Sequence, residues 1–165
     1  MGRELVVAWA GRHHRDAWED LCAGYRKRIG QQTAVRDLPV RVAARGGREE
    51  SREQLRERVR IEGLALQAAL PEPSYIVALD RRGVALSSDD LAAKLAQLRD
   101  EWPHPVAFVI GSDLGLSADL VATARLRWSL GPLTLPHELA RLVVYEQLYR
   151  AVAIAAGIAY HRRAL

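Results

Sequence analysis

Apolar and polar positions along the chain change period ten times, and each change marks a structural element. Leu5 to Ala10 is an unbroken apolar run closing on Gly11, which predicts a short buried strand. Asp16 to Ile29 has helical spacing through Trp18, Leu21, Cys22 and Tyr25 and stops at Gly30. Thr33 to Val42 alternates like a strand, and Pro39, which lacks an amide hydrogen, places it at a sheet edge. The basic stretch Arg45-Gly46-Gly47-Arg48 reads as a flexible connection, followed by a charged helix from about Glu49 to Leu70 that Pro71 and Pro73 end. Ser74 to Asp80 is a strong strand, with Arg81-Arg82-Gly83 as the turn after it. Ser87 or Ser88 caps a helix carrying Leu91, Leu95 and Leu98 on one face. Pro105 to Ile110 is the most apolar strand and runs into the glycine-bearing loop Gly111 to Leu116, after which Ser117 caps another helix. Leu126 to Leu130 is the last strand and Leu135 to Ala156 the last helix, with Pro136 at its first position. Strands alternating with helices in this way specify an α/β domain with a mostly parallel sheet flanked by helices. With 165 residues and no repeat or linker, residues 1–165 are expected to form one domain.

The last helix departs from the amphipathic rule. Leu139, Leu142, Val143 and Ala153 share one side with Glu146 and Arg150, while Val144, Leu148, Val152 and Ala155 take the other, behind His137 and Arg141. A helix apolar on nearly every side is either central or shared with a second subunit, and an interface between copies is a natural use for the extra face. Glu146 and Arg150 are an i,i+4 pair in the favourable order, an arrangement that more often organises structure than performs chemistry.

Composition narrows the function classes. Hydrophobic content of 49% and charged content of 27% are those of a soluble globular chain. No apolar run is long enough to cross a bilayer, and the start, Met1-Gly-Arg-Glu-Leu, reads as neither a signal peptide nor a myristoylation site, since Val6 stands where Ser or Thr is needed. The single Cys22 cannot form an internal disulfide, so a reducing cytoplasmic setting is expected. Net charge is +4 with a pI near 9.6, carried almost entirely by arginine, which suits phosphate and base contacts without establishing them.

The candidate chemistry is concentrated late in the chain. Gly111-Ser-Asp-Leu-Gly115 follows a buried strand, where glycines let backbone approach a ligand, but the spacing is not the dinucleotide fingerprint and a plain strand-to-helix turn explains it as well. Leu130-Gly-Pro-Leu-Thr-Leu135 is a largely apolar turn whose backbone groups could hold an adenine ring, or simply a buried loop before a helix. His137 has no Cys or second His at metal-ligand spacing, and His13, His14 and His104 read as surface residues, so no metal site is expected. The run Arg41, Arg45, Arg48, Arg52, Arg56, Arg58 and Arg60 is partly neutralised by Glu49, Glu50, Glu53 and Glu57; its helical part reads as a solvated face and its Arg-Gly-Gly-Arg loop as the better RNA contact.

Taken in order, Phe108-Val-Ile-Gly-Ser-Asp-Leu-Gly-Leu116, Trp128-Ser-Leu-Gly-Pro-Leu-Thr-Leu-Pro-His137, Arg141, Glu146-Gln-Leu-Tyr-Arg150 and Tyr160-His161-Arg162 resemble the RlmH family. Those are SPOUT-class methyltransferases acting on N3 of a pseudouridine in bacterial large-subunit (23S) ribosomal RNA. Val7-Ala8 to Gly11, Glu62-Gly63 and Leu79-Asp80 to Gly83 extend the resemblance over essentially the whole chain. It implies a C-terminal trefoil knot, a homodimer and S-adenosylmethionine as cofactor. By the same resemblance, Leu79, Gly111, Leu130, Gly131, Pro132, Leu133, Thr134 and Leu135 would hold the cofactor, and His137, Arg141, Tyr160, His161 and Arg162 would lie near the substrate, some reaching across the dimer. Two departures stand out: Ser112 replaces the second of two adjacent glycines, and the chain runs on to Leu165 beyond Tyr-His-Arg.

The residues suit that chemistry. Transfer to pseudouridine N3 needs in-line approach and a group to take the N3 proton. His137, Tyr160 and His161 are candidates for it, with Arg141 or Arg162 favouring the developing anion and Arg150 an alternative phosphate contact. Two other readings stay open: a ribosome-binding factor that kept the fold without turnover, and an α/β domain binding NAD or ATP.

Overall fold

The computed structural model describes residues 4–42 and 49–161. Five strands, β1 (Leu5–Ala10), β2 (Val35–Val40), β3 (Tyr75–Ala85), β4 (Val106–Ile110) and β5 (Leu126–Ser129), form one sheet in the order β2-β1-β4-β3-β5. All four pairings are parallel. Helices α1 (Ala17–Gly30), α2 (Arg52–Ala69), α3 (Ser88–Glu101), α4 (Ala118–Thr123) and α5 (His137–Ala155) connect or follow them. β1 and β4 are buried on both faces, which is why both read as continuous apolar runs rather than alternating ones. β2 is the edge strand that Pro39 called for.

Two cores flank the sheet. Phe108, Val7, Val77 and Trp128 face α1, α3 and α5, meeting Cys22, Leu91, Tyr145 and Leu148. The opposite face, Val6, Ala8, Ala107 and Val109, meets Leu66 of α2 and Leu120 of α4. Capping follows the sequence: Asp16, Ser51, Ser87 and Ser117 each accept a backbone hydrogen bond at a helix start, Ser51 and Ser87 within reciprocal capping boxes.

Three boundaries differ from expectation. Arg81-Arg82-Gly83 does not end β3; the strand continues to Ala85, and the register against β5 shifts between Leu79 and Val84 so that Asp80 to Gly83 bulge out. A Cβ on Gly83 would stand 2.4 Å from the Arg127 carbonyl oxygen, so only glycine allows the bulge to close on β5. The last helix begins at His137 rather than Leu135, with Pro136 in extended backbone at the cap and not inside the first turn. The long charged helix begins after Ser51, and it is less solvated than its composition implies: Arg58, Glu62, Gly63 and Leu66 are buried.

β1 leads through α1 to β2 on one side of the sheet, while neighbouring β4 leads through α4 to β5 on the other. Adjacent strands that leave in opposite directions open a crevice at their carboxyl ends, the usual ligand position in open parallel sheets. The loops after β1, β3, β4 and β5 all meet at that edge.

Candidate active site at the carboxyl edge of the sheet

Two cavities share a wall there. The larger, about 550 Å³, lies beyond β3, β4 and β5. Leu79, Gly111, Leu130, Gly131, Leu133, Thr134 and Leu135 all line it, bringing together every residue expected to hold the cofactor except Pro132. The loop from Leu130 to Leu135 is shaped by Gly131, whose φ of 114° is open only to glycine at little cost, and by Ser129 Oγ, which accepts the Gly131 amide at 3.1 Å. Arg81, carried there by the β3 bulge, donates to Thr134 Oγ1 at 3.2 Å. Asp80 and Asp113 add carboxylates, and Arg81 and Arg82 guanidinium groups, to a lining otherwise rich in leucine. Burial works against the charge on Asp80, yet the Arg82 amide and the Arg127 guanidinium hold its pKa below the usual aspartate value.

The second cavity, about 460 Å³, sits where β1 and β4 diverge. Ser112, Asp113 and His137 belong to both linings, so they form the partition between the two spaces. Trp9, Gly11, Trp18, Arg58, Glu62 and Arg141 are among its other walls. In the partition, the Ser112 hydroxyl donates to Glu62 Oε2 at 2.7 Å and accepts the Leu114 amide at 3.3 Å. The serine that departs from the double glycine therefore ties the β4 loop to α2. Gly115, at φ 80°, closes the turn with its amide on the Ser112 carbonyl at 2.9 Å. His137 Nε2 lies 3.1 Å from Glu138 Oε1.

Arg141 is only 4% exposed and lies under the second cavity in a buried ion network. Its guanidinium reaches Asp37 at 2.9 Å and Glu19 at 2.7 Å and stacks 4.3 Å from the centre of the Trp9 ring. Burial opposes its charge, but Asp37 and Glu19 more than reverse this and raise its pKa. Arg26 pairs with Glu19, and the Tyr145 hydroxyl donates to Asp37, burial and that carboxylate together pushing the phenol upward. His13, although exposed, reaches Glu19 at 3.4 Å and Asp37 at 3.2 Å. The ligand atoms of His13, Glu19 and Asp37 fall within 4.8 Å of one another, but Arg26 and Arg141 already occupy both carboxylates. Asp37 escaped the sequence reading because a lone aspartate in an edge strand resembles a solvent-facing residue. The signal was present in Trp9, Tyr145 and Arg141, three hydrogen-bond donors on apolar elements that needed an acceptor.

Tyr160 and His161 lie at the other end of α5. Tyr160 donates to Glu146 at 3.1 Å and packs 4.7 Å from the Tyr149 ring; Arg150 pairs with Glu146 and stands 3.3 Å from His161 Nδ1. Burial and the neighbouring Tyr25 and Glu146 raise the Tyr160 pKa well above the ordinary tyrosine value. The 19 residues of α5 span about 28 Å, so one chain does not bring Tyr160 and His161 to His137. Arg162, the Arg45-to-Arg48 loop and the tail to Leu165 lie outside the described residues.

An open parallel α/β sheet with a nucleoside-sized cavity at its carboxyl edge, partitioned by a histidine from a second polar cleft, defines a group-transfer enzyme in outline. Residues 4–161 match the family described as predicted SPOUT methyltransferases. The ribosomal RNA large subunit methyltransferase H of Xanthomonas campestris pv. campestris (strain B100) is 40% identical over 140 residues, covering 85% of this chain and 86% of that protein. Its counterpart in Stenotrophomonas maltophilia (strain K279a) is 42% identical over the same shares. A solved structure of a probable methylase family protein from Haemophilus influenzae Rd KW20 superposes with a TM-score of 0.53 at 12% identity, over 99% of this chain and 72% of that one, a likeness of fold alone. The chain belongs to the SPOUT methyltransferase family.

Proposed function

We propose that the protein is an S-adenosylmethionine-dependent methyltransferase that modifies N3 of a pseudouridine in large-subunit ribosomal RNA, acting as a cytoplasmic homodimer with a C-terminal trefoil knot. The observation that carries this reading is the shared partition: a leucine-rich cavity suited to an adenosyl group on one side of His137, and a polar cleft on the other. The first cavity fits the cofactor chemically. Its aliphatic walls accept an adenine ring, and the amides of Leu133, Thr134 and Leu135 donate to no other group among the described residues.

The cofactor, when bound, supplies an electrophilic methyl group carried on a positive sulfur. Forming the N3–carbon bond breaks the sulfur–carbon bond, and the N3 proton must leave to a base. His137 holds the position for that proton. Tyr160, its pKa raised, stays protonated at neutral pH and suits hydrogen-bond donation instead. A second copy would bring its own Tyr160, His161 and Arg162 toward this His137, which accounts for the two ends of α5 carrying matched chemistry. Leu139, Leu142 and Val143, only half-buried in one chain, supply an apolar face for that contact.

Calorimetric titration with S-adenosylmethionine, NAD and ATP, followed by methyl transfer to ribosomes lacking the modification, tests the reading. Selective binding of S-adenosylmethionine and incorporation at one pseudouridine are expected. Binding without transfer to any ribosomal substrate would favour the ribosome-binding factor, and preference for NAD or ATP would overturn the assignment.

A further inference from the structure

The second cleft contains chemistry that methyl transfer itself does not need. Arg58 and Glu62 stand one turn apart on α2, on the face turned to β1 and the β4 loop, and both line the cleft. Glu62 is 4% exposed and Arg58 9%. Burial of both signs on one helix face is costly unless each charge has a partner. The partners are incomplete. Among the described residues, Ser112 donates to Glu62 Oε2. Arg58 pairs with Glu50 at 2.9 Å through Nη1, while its Nε is buried with no partner. A carboxylate acceptor and a guanidinium donor thus sit side by side at the topological switch point, the guanidinium with spare capacity, across the partition from the methyl-donor cavity.

That pair matches one edge of the target base. In pseudouridine the ring is attached through carbon, so N1 keeps a hydrogen and lies beside the C2 carbonyl, with N3 next around the ring. We propose that Glu62 and Arg58 read this edge: Glu62 accepts the N1–H and the Arg58 guanidinium donates to the C2 carbonyl. N3 is then left facing His137 and the methyl donor. Trp18, at the same cleft and partly exposed, offers a face for the extruded base to stack on. Uridine, in the same pose, presents a carbon-bound hydrogen where pseudouridine presents N1–H. The buried carboxylate would then stay unmet, a mismatch that polar sites reject strongly. Ser112 is the positioning residue, fixing the Glu62 carboxylate through its hydroxyl. This inference rests on the methyltransferase reading and adds how the substrate is distinguished.

The test compares kcat/KM on ribosomes carrying either pseudouridine or uridine at the target, with the full-length protein. Wild type is expected to prefer pseudouridine by tenfold to a hundredfold, on the order of one hydrogen bond to a charged group. Glu62→Ala should bring the ratio close to one. Ser112→Gly, a small change on the loop, should narrow it several-fold, with the loss falling on pseudouridine-bearing ribosomes rather than on both substrates. Equal wild-type rates on the two ribosomes would overturn the inference, whether or not Glu62→Ala folds. So would equal losses on both substrates in Ser112→Gly or Glu62→Ala, the mark of a merely structural role. Transfer to neither ribosome by wild type would overturn the underlying reading and this one with it.

Discussion

The two ends of α5 carry nearly the same side chains and put them to opposite uses. At the amino end Arg141 meets Asp37, Glu19 and Tyr145; at the carboxyl end Arg150 meets Glu146 and Tyr160. Each set is an arginine, carboxylate and tyrosine within hydrogen-bond reach. Yet the Arg141 side chain is 5% exposed, whereas that of Arg150 is 24% exposed, with Glu146 at 20%. The first set draws on three elements, α1, β2 and α5, and its central Arg141 and Asp37 are the more deeply buried. The second is built almost entirely from α5 and the segment just after it, with His161 Nε2 buried and short of a hydrogen-bond partner. Deeper burial makes the first set a scaffold; the second keeps its arginine and carboxylate partly open to solvent. Arg141, which the resemblance places near the substrate, lines the second cleft and is held there by Asp37 and Glu19.

The comparison breaks most visibly at Arg141. Arg141→Met removes the more buried of the two cations that Asp37 and Glu19 share and leaves Arg26 alone between them, an expected loss of about 3–5 kcal/mol of stability. Chemical denaturation of the variant against wild type measures it, and a loss below about 1 kcal/mol would show that the network is not a scaffold. At the other end, Tyr160→Phe removes one hydroxyl from a half-open cluster. Stability should change by less than about 1 kcal/mol, while methyl transfer to ribosomes falls on the order of tenfold, as for the loss of one positioned hydrogen bond. A thermal midpoint that drops together with activity would make the carboxyl end structural as well.

The smallest effect is a pH dependence confined to the amino end. Burial pulls the Glu19 pKa up, but Arg26 and Arg141 outweigh it, so the folded value lies below the unfolded one. A group of this kind contributes stability that is present above its unfolded pKa, about 4.3, and is lost as pH falls through the folded value. Unfolding free energy should therefore decline in that acid window for wild type and less steeply for Glu19→Gln. Parallel curves would remove Glu19 from the network's electrostatics.

Much of the scaffold was legible along the chain because local rules dictate it. Apolar runs predict strands buried on both faces, and Ser51, Ser87 and Ser117 cap helices wherever a free amide must find an acceptor. The loop from Leu130 to Leu135 was legible for a similar reason, since its glycine and apolar residues reach their cavity within six consecutive positions. Asp37 and Glu62 were not. Each looks like a surface carboxylate in its own element, and its burial depends on what a helix or loop 50 or more residues away lays over it. The β3 bulge was missed likewise, because Arg81-Arg82-Gly83 reads as a turn until the Arg127 carbonyl is placed against Gly83.

The sequence by itself determined the periods, the caps, the parallel α/β class and the chain of residues that resembles a methyltransferase family, since each depends on neighbours at most a few turns away. Tertiary structure decided which charges are buried, that one histidine divides two cavities, and that the ends of α5 lie about 28 Å apart. Those follow from strand order, and strand order is set by long-range burial that no local window contains.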